Sequence, residues 1–342
     1  QTILDRGYTI YLIPLAAAAC FRRSLAPTGK KSDGFDCTSA GLYVLNLGHT
    51  MRPLTPDAPE VVALRQSVID RTRLVADRTA KINDLHSQLK RFYPAFIGLF
   101  GNLTSRIALR FLQDFPAQDG LRALTPRRLK GWLKKHGYTQ SRRVDGMVAK
   151  LTAPVFEVPA SLQQAKAAHI RYCAKTIETL NDEIAARDAA NQRQFDQWPD
   201  ASIYRSLPGV GATLAPALAA VFGRDVDRFE DSTRAQAYLG TAPVTRASGR
   251  QRSVVFRRAC CKFARRTLQL FAQQTLTTCA WAEAFYRRQR QTGHRHHAAL
   301  RALANKWVKI ILAMQRTGTP YDDARYTAAC EQRLSGKRPA FT

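Results

Sequence analysis

Acidic residues are scarce in this chain of 342 residues: 26 Asp and Glu stand against 53 Lys and Arg, a formal charge of +27 at pH 7. Cys-x-x-Cys pairs, bilayer-length apolar runs and a secretory leader pattern are missing as well, and each absence removes a class of protein. The seven cysteines (Cys20, Cys37, Cys173, Cys260, Cys261, Cys279 and Cys330) follow no framework spacing. An odd, scattered set reads as the reduced thiols of a cytoplasmic protein, not as a disulfide scaffold. The most apolar N-terminal run, YTIYLIPLAAAACF, is too short to span a bilayer and carries Pro14, so no membrane partner is expected. It lacks the charged start and cleavage pattern of a signal peptide. The chain opens on Gln1 and not on Met, which raises the expectation of a segment upstream.

Apolar residues make up 45% of the sequence, enough to build a core, so the basic charge does not belong to a disordered tail. The positive excess is spread along the whole length. A distributed field of this sign calls for a polyanionic partner, with nucleic acid first among candidates. Binding of that kind weakens steeply with salt, because each neutralised phosphate releases counterions. The plainer alternative is a basic protein whose charge serves solubility alone.

The expected fold class is α+β and mostly helical. GYTIYLIP reads as a buried strand closed by Pro14, and FDCTSAGLYVLNLG as a short helix. Pro53, Pro56 and Pro59 mark a boundary, which gives a first unit over residues 1–55. In residues 60–92, Leu64, Val68, Val75, Ile82, Leu85 and Leu89 fall on a heptad seam that Arg71 and Arg78 interrupt. Residues 160–192 repeat the style with Leu162, Ala165, Cys173, Ile177, Leu180 and Ile184. Two such helices predict an antiparallel hairpin or an intermolecular coiled coil, with an inserted helical block between them, over residues 56–195. Within that block, LTPRRLKGWLKKHGYT is a basic helix starting at Pro126. It is either a nucleic-acid face or a solvated helix around a core Trp132. A helical C-terminal unit over residues 196–325 ends in the apolar stripe Leu300, Leu303, Trp307, Ile310, Ile311 and Met314, and residues 326–342 form a tail.

Four constellations bear on chemistry. SLPGVGATLAPALAAVFG carries Leu207, Gly209, Val210 and Gly211 ahead of a small-residue helix, the pattern of a helix-hairpin-helix. Its glycines let successive backbone N–H groups face one phosphate at a helix N-terminus. The alternative is a tight interhelical turn that needs glycine for packing. GKKSDGFDCTSA places Asp33 and Asp36 three apart, on one face of a helix, with Lys30 and Lys31 upstream as phosphate contacts. Paired carboxylates suit Mg²⁺, yet on spacing alone an N-cap at Asp33 with Asp36 in the first turn is the more economical reading. GTAPVTRASGRQR sets Ser248 between Arg246 and Arg250, beside Gly249. Its arginines suit a phosphoryl transition state, but no histidine is near in sequence, and a turn serine before glycine is the alternative. His294, His296 and His297 lack partner ligands at metal spacing and read as exposed residues at a helix start.

The order KSDGFD, a long coiled coil, LPGVG, YLGTAPVTRASGR, FYRRQRQTGHRHHAALRALANKWVKIILAM and GTPYD resembles the transposases of the insertion-sequence one-hundred-and-ten family, the DEDD or bridge-RNA-guided recombinases, over roughly residues 7–325. The resemblance implies a RuvC-like (RNase H-like) N-terminal domain, here partial, then a coiled coil and a helical domain bearing a nucleophilic serine. It maps Asp33 and Asp36 onto the last two of four Mg²⁺-binding acidic residues and Ser248 onto the nucleophile. The first Asp and the Glu of that set fall upstream of Gln1. The implied partners are donor and target DNA, a bridge-type guide RNA, and further copies of the chain in a dimer or tetramer. The implied setting is the bacterial cytoplasm, at the nucleoid. A RuvC-type metal-dependent nuclease and a catalytically inactive nucleic-acid-binding remnant stay open beside it.

Overall fold

A computed structural model describes residues 3, 6–29, 32–117, 124–138, 144–152, 159–249, 251–324 and 326–327. The polypeptide begins with α1 (Leu15–Leu25) and α2 (Asp33–Leu47), which pack on each other. Long α3 (Pro59–Phe92) follows, then the short helices α4 (Arg106–Asp114), α5 (Pro126–Lys135) and α6 (Val144–Thr152), and the return helix α7 (Ala160–Asp196). The C-terminal part comprises α8 (Ala201–Arg205), α9 (Leu214–Phe222), α10 (Ser232–Tyr238), the hairpin β1 (Val244–Ser248) and β2 (Gln251–Val255), α11 (Lys262–Thr278), α12 (Ala280–Gln291) and α13 (His296–Thr317).

Helices α3 and α7 run antiparallel within one chain, so of the two arrangements open from the heptads the hairpin is realised. Ser67 donates to Asn191 at 2.6 Å, Arg71 makes two bonds to Asp188 at 2.9 and 3.0 Å, and Arg78 donates to Asn181 at 3.0 Å. The sequence numbers fall on one helix as they rise on the other. The two arginines that interrupt the heptad seam are thereby accounted for: each reaches a polar partner across it. Pro59 sits in the first turn of α3, where its missing N–H costs nothing.

The helix pair carries a hydrophobic core at each end. At one end Val61, Leu64 and Val68 of α3 and Phe195 at the end of α7 join a large core with α9, α11 and α13, centred on the fully buried Trp307. At the other, Leu85, Leu89, Ile170, Cys173 and Ile177 join α4–α6 in a smaller core rich in phenylalanine. Leu162, assigned from sequence to the seam, is exposed. Helix α13 shows its stripe: Leu300, Leu303, Trp307, Ile311 and Met314 are buried, Ile310 is half-buried, and Gly318 ends the helix in the left-handed conformation. Trp132 lies on Phe111 and Phe115 and donates to Asp114 at 2.7 Å, so α5 is packed through its tryptophan and presents its lysines outward.

The strand expected at GYTIYLIP does not form. Residues 8–14 join no helix and no sheet, and Tyr8 and Leu12 are exposed. A buried strand needs neighbours on both sides for its N–H and C=O groups. Here the described residues provide one bond across, from the Leu54 N–H to the Ile10 carbonyl, besides the Ala18 N–H that meets the Pro14 carbonyl at the start of α1. The sole sheet among the described residues is the β1–β2 hairpin. The described residues up to position 54 consequently hold one buried side chain, Ser39, and leave Leu15 and Leu45 largely exposed. No described helix is long and apolar enough to cross a membrane.

The polar seam yields a prediction. Asp188→Ala leaves the Arg71 guanidinium unpaired between two helices and is expected to destabilise the protein by about 1–3 kcal/mol. Replacing both Arg71 and Asp188 by Met should recover most of that loss, because the pair's attraction mainly offsets its own desolvation. Urea denaturation of the three proteins checks this.

Candidate functional site

The hairpin at residues 244–255 begins after Pro243 and is built from Val244, Thr245, Val254 and Val255, β-branched residues suited to a pleated ribbon. Its strands pair in register, with Ser248 opposite Gln251. The two-residue connection opens on Gly249 at φ 54°, the positive-φ position that such loops need. A Cβ at Gly249 would meet open space, so it is the backbone conformation and not packing that calls for glycine.

A lone two-stranded ribbon is marginal in water, and here its base is fastened. Arg257 donates to the carbonyls of Ala242 and Pro243 at 3.1 and 3.3 Å, and Arg265 donates to the Arg257 carbonyl at 3.1 Å. Thr241 donates to Asn305 of α13 at 2.9 Å, and Gln236 reaches the Asn305 carbonyl at the same distance. Gly240, at φ 74°, lies so close to Cys260 that a Cβ would stand 2.6 Å from its sulfur. The base is fixed by these contacts, and the ribbon projects from it with Val244 the last half-buried residue of β1 before an exposed tip.

Ser248 is exposed at that tip, in an open groove with Arg246 and Gln251. No described residue hydrogen-bonds its hydroxyl, so among the described residues no base is in place there. Gly249 adjoins it, while Arg250 lies outside the described residues, as do Lys30 and Lys31.

At the foot of the hairpin is a cleft of about 570 Å³ that sequence reading missed. Arg257, Arg301, Lys306 and Lys309 line it, and no described acidic residue does. The Phe256 ring lies between the guanidinium groups of Arg265 and Arg301, each 4.7 Å from its centroid. Burial, followed by the neighbouring Arg265 charge, lowers the Arg301 pKa. Two cations facing one ring with no carboxylate beside them would be relieved by an anion. A signal was present in the sequence: Arg301, Asn305 and Lys309 recur at four-residue steps on α13, on a face other than its apolar stripe.

The LPGVG turn joins α8 to α9. Leu207 is buried in the large core, and Val210 packs against it. Gly209, at φ 71°, approaches the end of α11: a Cβ there would stand 2.9 Å from the Thr278 hydroxyl and 3.1 Å from the Gln274 carbonyl. Gly209 therefore serves packing. Gly211, Ala212 and Thr213 are exposed, and a Cβ at Gly211 would meet nothing. Their N–H groups bond no described backbone carbonyl, whereas those of Leu214 and Ala215 return to Gly211. The GTPYD motif braces this turn. The Tyr321 N–H donates to Ser206 Oγ at 2.7 Å, and its hydroxyl accepts from Trp281 and donates to Asp323.

Asp33 and Asp36 both fall in the first turn of α2, on the face that the spacing predicts, but the cap is Ser32, whose Oγ accepts from the Phe35 N–H at 3.2 Å. Arg22 of α1 donates to both oxygens of Asp36, at 3.0 and 3.3 Å. Carboxylate oxygens are the donors Mg²⁺ prefers, but no third described His, Cys, Asp or Glu joins these two in a cluster. The described residues thus supply ligands of the right chemistry and too few of them. His294, His296 and His297 are exposed; His296 meets the Tyr286 hydroxyl and His297 meets Gln269, and no described metal-type cluster includes them.

A two-core helical protein with a serine-tipped basic arm above a cationic cleft is built to meet phosphate-bearing chains. Comparison with known proteins makes the class specific. The profile described as Transposase IS116/IS110/IS902 family matches residues 201–287, which include the turn and the hairpin, and a DEDD transposase profile of IS110 type matches residues 1–94. The 42 kDa protein of insertion element IS900 from Mycobacterium paratuberculosis is 31% identical over 288 residues, 82% of this chain and 70% of its own length. A mini-circle protein named as the transposase for IS117, from Streptomyces coelicolor, is 28% identical over 92% of this chain and 78% of its own. The 43.6 kDa protein of insertion element IS110 from the same species is 24% identical over 93% and 78%. The chain belongs to the IS110/IS116/IS902 family of transposases, and its function is DNA transposition.

Two predictions follow from these contacts. Gly209→Ala should cost about 1–3 kcal/mol of stability through strain and the clash with α11, whereas Gly211→Ala should melt as the wild type does; thermal denaturation distinguishes them. Arg301→Ala should weaken DNA binding at all sequences alike and reduce the slope of log K against log salt by about 0.9, read from a salt titration of binding.

Proposed function

We propose that this transposase exchanges DNA strands through a covalent phosphoserine formed on Ser248, with donor and target DNA selected by pairing to a structured guide RNA. The observation that carries the reading is the placement of Ser248: exposed, at the tip of a ribbon whose base is fixed and whose surroundings are cationic. In the step, the Ser248 Oγ–P bond forms and one P–O ester bond of the DNA backbone breaks. The hydroxyl proton ends on the departing DNA oxygen. Attack by a hydroxyl of the other DNA strand on the phosphoserine reverses these changes and releases the serine. One phosphodiester replaces another, so no nucleotide cofactor is needed.

Arg246 and Arg250 supply positive charge beside the reacting phosphate. The exposed N–H groups at the start of α9, from Gly211 onward, hold a backbone phosphate without reading a base. Leu207, Gly209 and Val210 shape that turn, so the helix-hairpin-helix acts through its backbone. Lys30 and Lys31 add phosphate contacts near α2. Mg²⁺ held in part by Asp33 and Asp36 would neutralise phosphate charge when bound. A base for Ser248 comes from outside its immediate surroundings, which fits a composite site in which the N-terminal part of one protomer meets the hairpin of another in a homodimer or a pair of dimers. Val61, Leu64, Leu85 and Leu89 of α3 are buried within the chain, so in this reading the protomers meet through surfaces that the α3–α7 hairpin leaves exposed.

The absence of a described base near Ser248 also favours a second reading, a protein that binds nucleic acid without cutting it. One experiment separates the two. With cognate DNA and guide RNA, the wild type should give a protein–DNA adduct that survives denaturing electrophoresis, and Ser248→Ala should give none. An adduct persisting in Ser248→Ala rules out the nucleophile; cleaved DNA without an adduct points to hydrolysis, and intact DNA on a bound wild type points to the second reading.

A further inference from the structure

Away from the hairpin, where α3 and α7 enter the smaller core, Asp84, His169 and Cys173 converge. The His169 Nε2 lies 3.1 Å from Asp84 Oδ2, and the Cys173 Sγ lies 3.5 Å from each of those two atoms. His169 and Cys173 are four apart on α7, so both project from one face of the helix toward α3. The second carboxylate oxygen, Oδ1, accepts from Gln88 at 3.3 Å, which holds the carboxylate plane and leaves Oδ2 aimed at the other two groups. Cys173 is buried, while Asp84 and His169 are each about one-third exposed, so a path from solvent exists.

We propose that Asp84, His169 and Cys173 form a three-ligand site for a transition-metal ion of zinc type, which ties α3 to α7. The donor set of thiolate, imidazole and carboxylate is the one such ions select, and a poor one for Mg²⁺. The spacing fits as well. Donors at about 2.0–2.3 Å from a tetrahedral centre stand roughly 3.3–3.8 Å from one another, and the three separations here lie at or just below that range. Water from the exposed side of Asp84 and His169 would complete the set as the fourth ligand.

Binding exchanges one proton for the ion: the Cys173 thiol gives up its hydrogen to solvent and the thiolate sulfur binds the metal, so affinity rises with pH. Lys81, whose ammonium is 3.8 Å from Asp84 and 5.0 Å from the centre of the Tyr172 ring, is the cation now beside the carboxylate. It has the Tyr172 face to retain when the metal takes Oδ2. The role is structural and independent of the serine chemistry. An ion here pins the two long helices at the point where they carry α4–α6.

Cobalt(II) is the probe, because a bound thiolate gives it a charge-transfer absorption that imidazole and carboxylate do not. Titrating the full chain with cobalt(II) under reducing conditions should produce that band with saturation at a single equivalent, bleached by zinc(II) and not by Mg²⁺. Cys173→Ser should lose the band, and zinc(II) should raise the melting temperature of the wild type but not of this variant. Replacing His294, His296 and His297 by Gln should change neither result. Absence of the band in the wild type, its survival in Cys173→Ser, or its loss in the triple-Gln protein would each overturn the site. The wild-type titration decides the matter even where a variant folds poorly.

Discussion

Everything distant in this protein is joined by the antiparallel packing of α3 on α7. Neither core is continuous in sequence: the larger takes Val61, Leu64 and Val68 from one helix and Phe195 from the end of the other, and the smaller takes Leu85, Leu89, Ile170 and Ile177. Leucine and phenylalanine burial drives each end, at about 1.5–3 kcal/mol per large side chain. Between the cores the seam turns polar, with Ser67–Asn191, Arg71–Asp188 and Arg78–Asn181 in succession. An apolar seam would tolerate sliding by a heptad; paired polar groups penalise it, which is their best-attested use. The helix pair thus acts as a strut of fixed register.

The C-terminal core converts that stiffness into a placed arm. Trp307, the Thr241–Asn305 and Gln236–Asn305 contacts and the close fit of Gly240 on Cys260 fix the foot of the hairpin. Helix α13 contributes twice, with its apolar stripe inside and Arg301, Asn305 and Lys309 toward the cleft. The motif GTPYD, far from the hairpin in sequence, fastens the turn before α9 through Tyr321 and Ser206. Stability and phosphate contact are therefore divided among residues of the same motifs, and adjacent glycines differ in purpose: Gly209 is needed by the packing and Gly211 is not.

Helices were legible in the sequence because a 3.6-residue period survives interruption: α3, α7 and α13 lie where their apolar residues recur, and Pro126 opens α5. The run at residues 8–14 was misread because a short apolar stretch is strand-like in composition whether or not it finds a strand to pair with. Ser248 and its arginines were visible as a local pattern, and the hairpin around them was not, since Gly249 marks a turn without saying what flanks it. The cleft escaped notice because Phe256, Arg265 and Arg301 come from three segments. For the same reason Cys173 read as a seam residue: Asp84, 89 positions earlier, becomes its neighbour only when α7 folds back. Asp33 and Asp36 were legible as a pair, but the Arg22 that holds Asp36 was not.

In the proposed reaction, the exposed Ser248 on a firmly mounted ribbon is the residue that meets the DNA backbone. Peptide mass spectrometry of the nuclease-treated reaction with cognate DNA and guide RNA tests it most directly. The expected product is a nucleotide attached through phosphate to the peptide carrying Ser248, with fragmentation placing it on that residue. A nucleotide found on any other residue, or cleaved DNA with every Ser248 peptide unmodified, would contradict it.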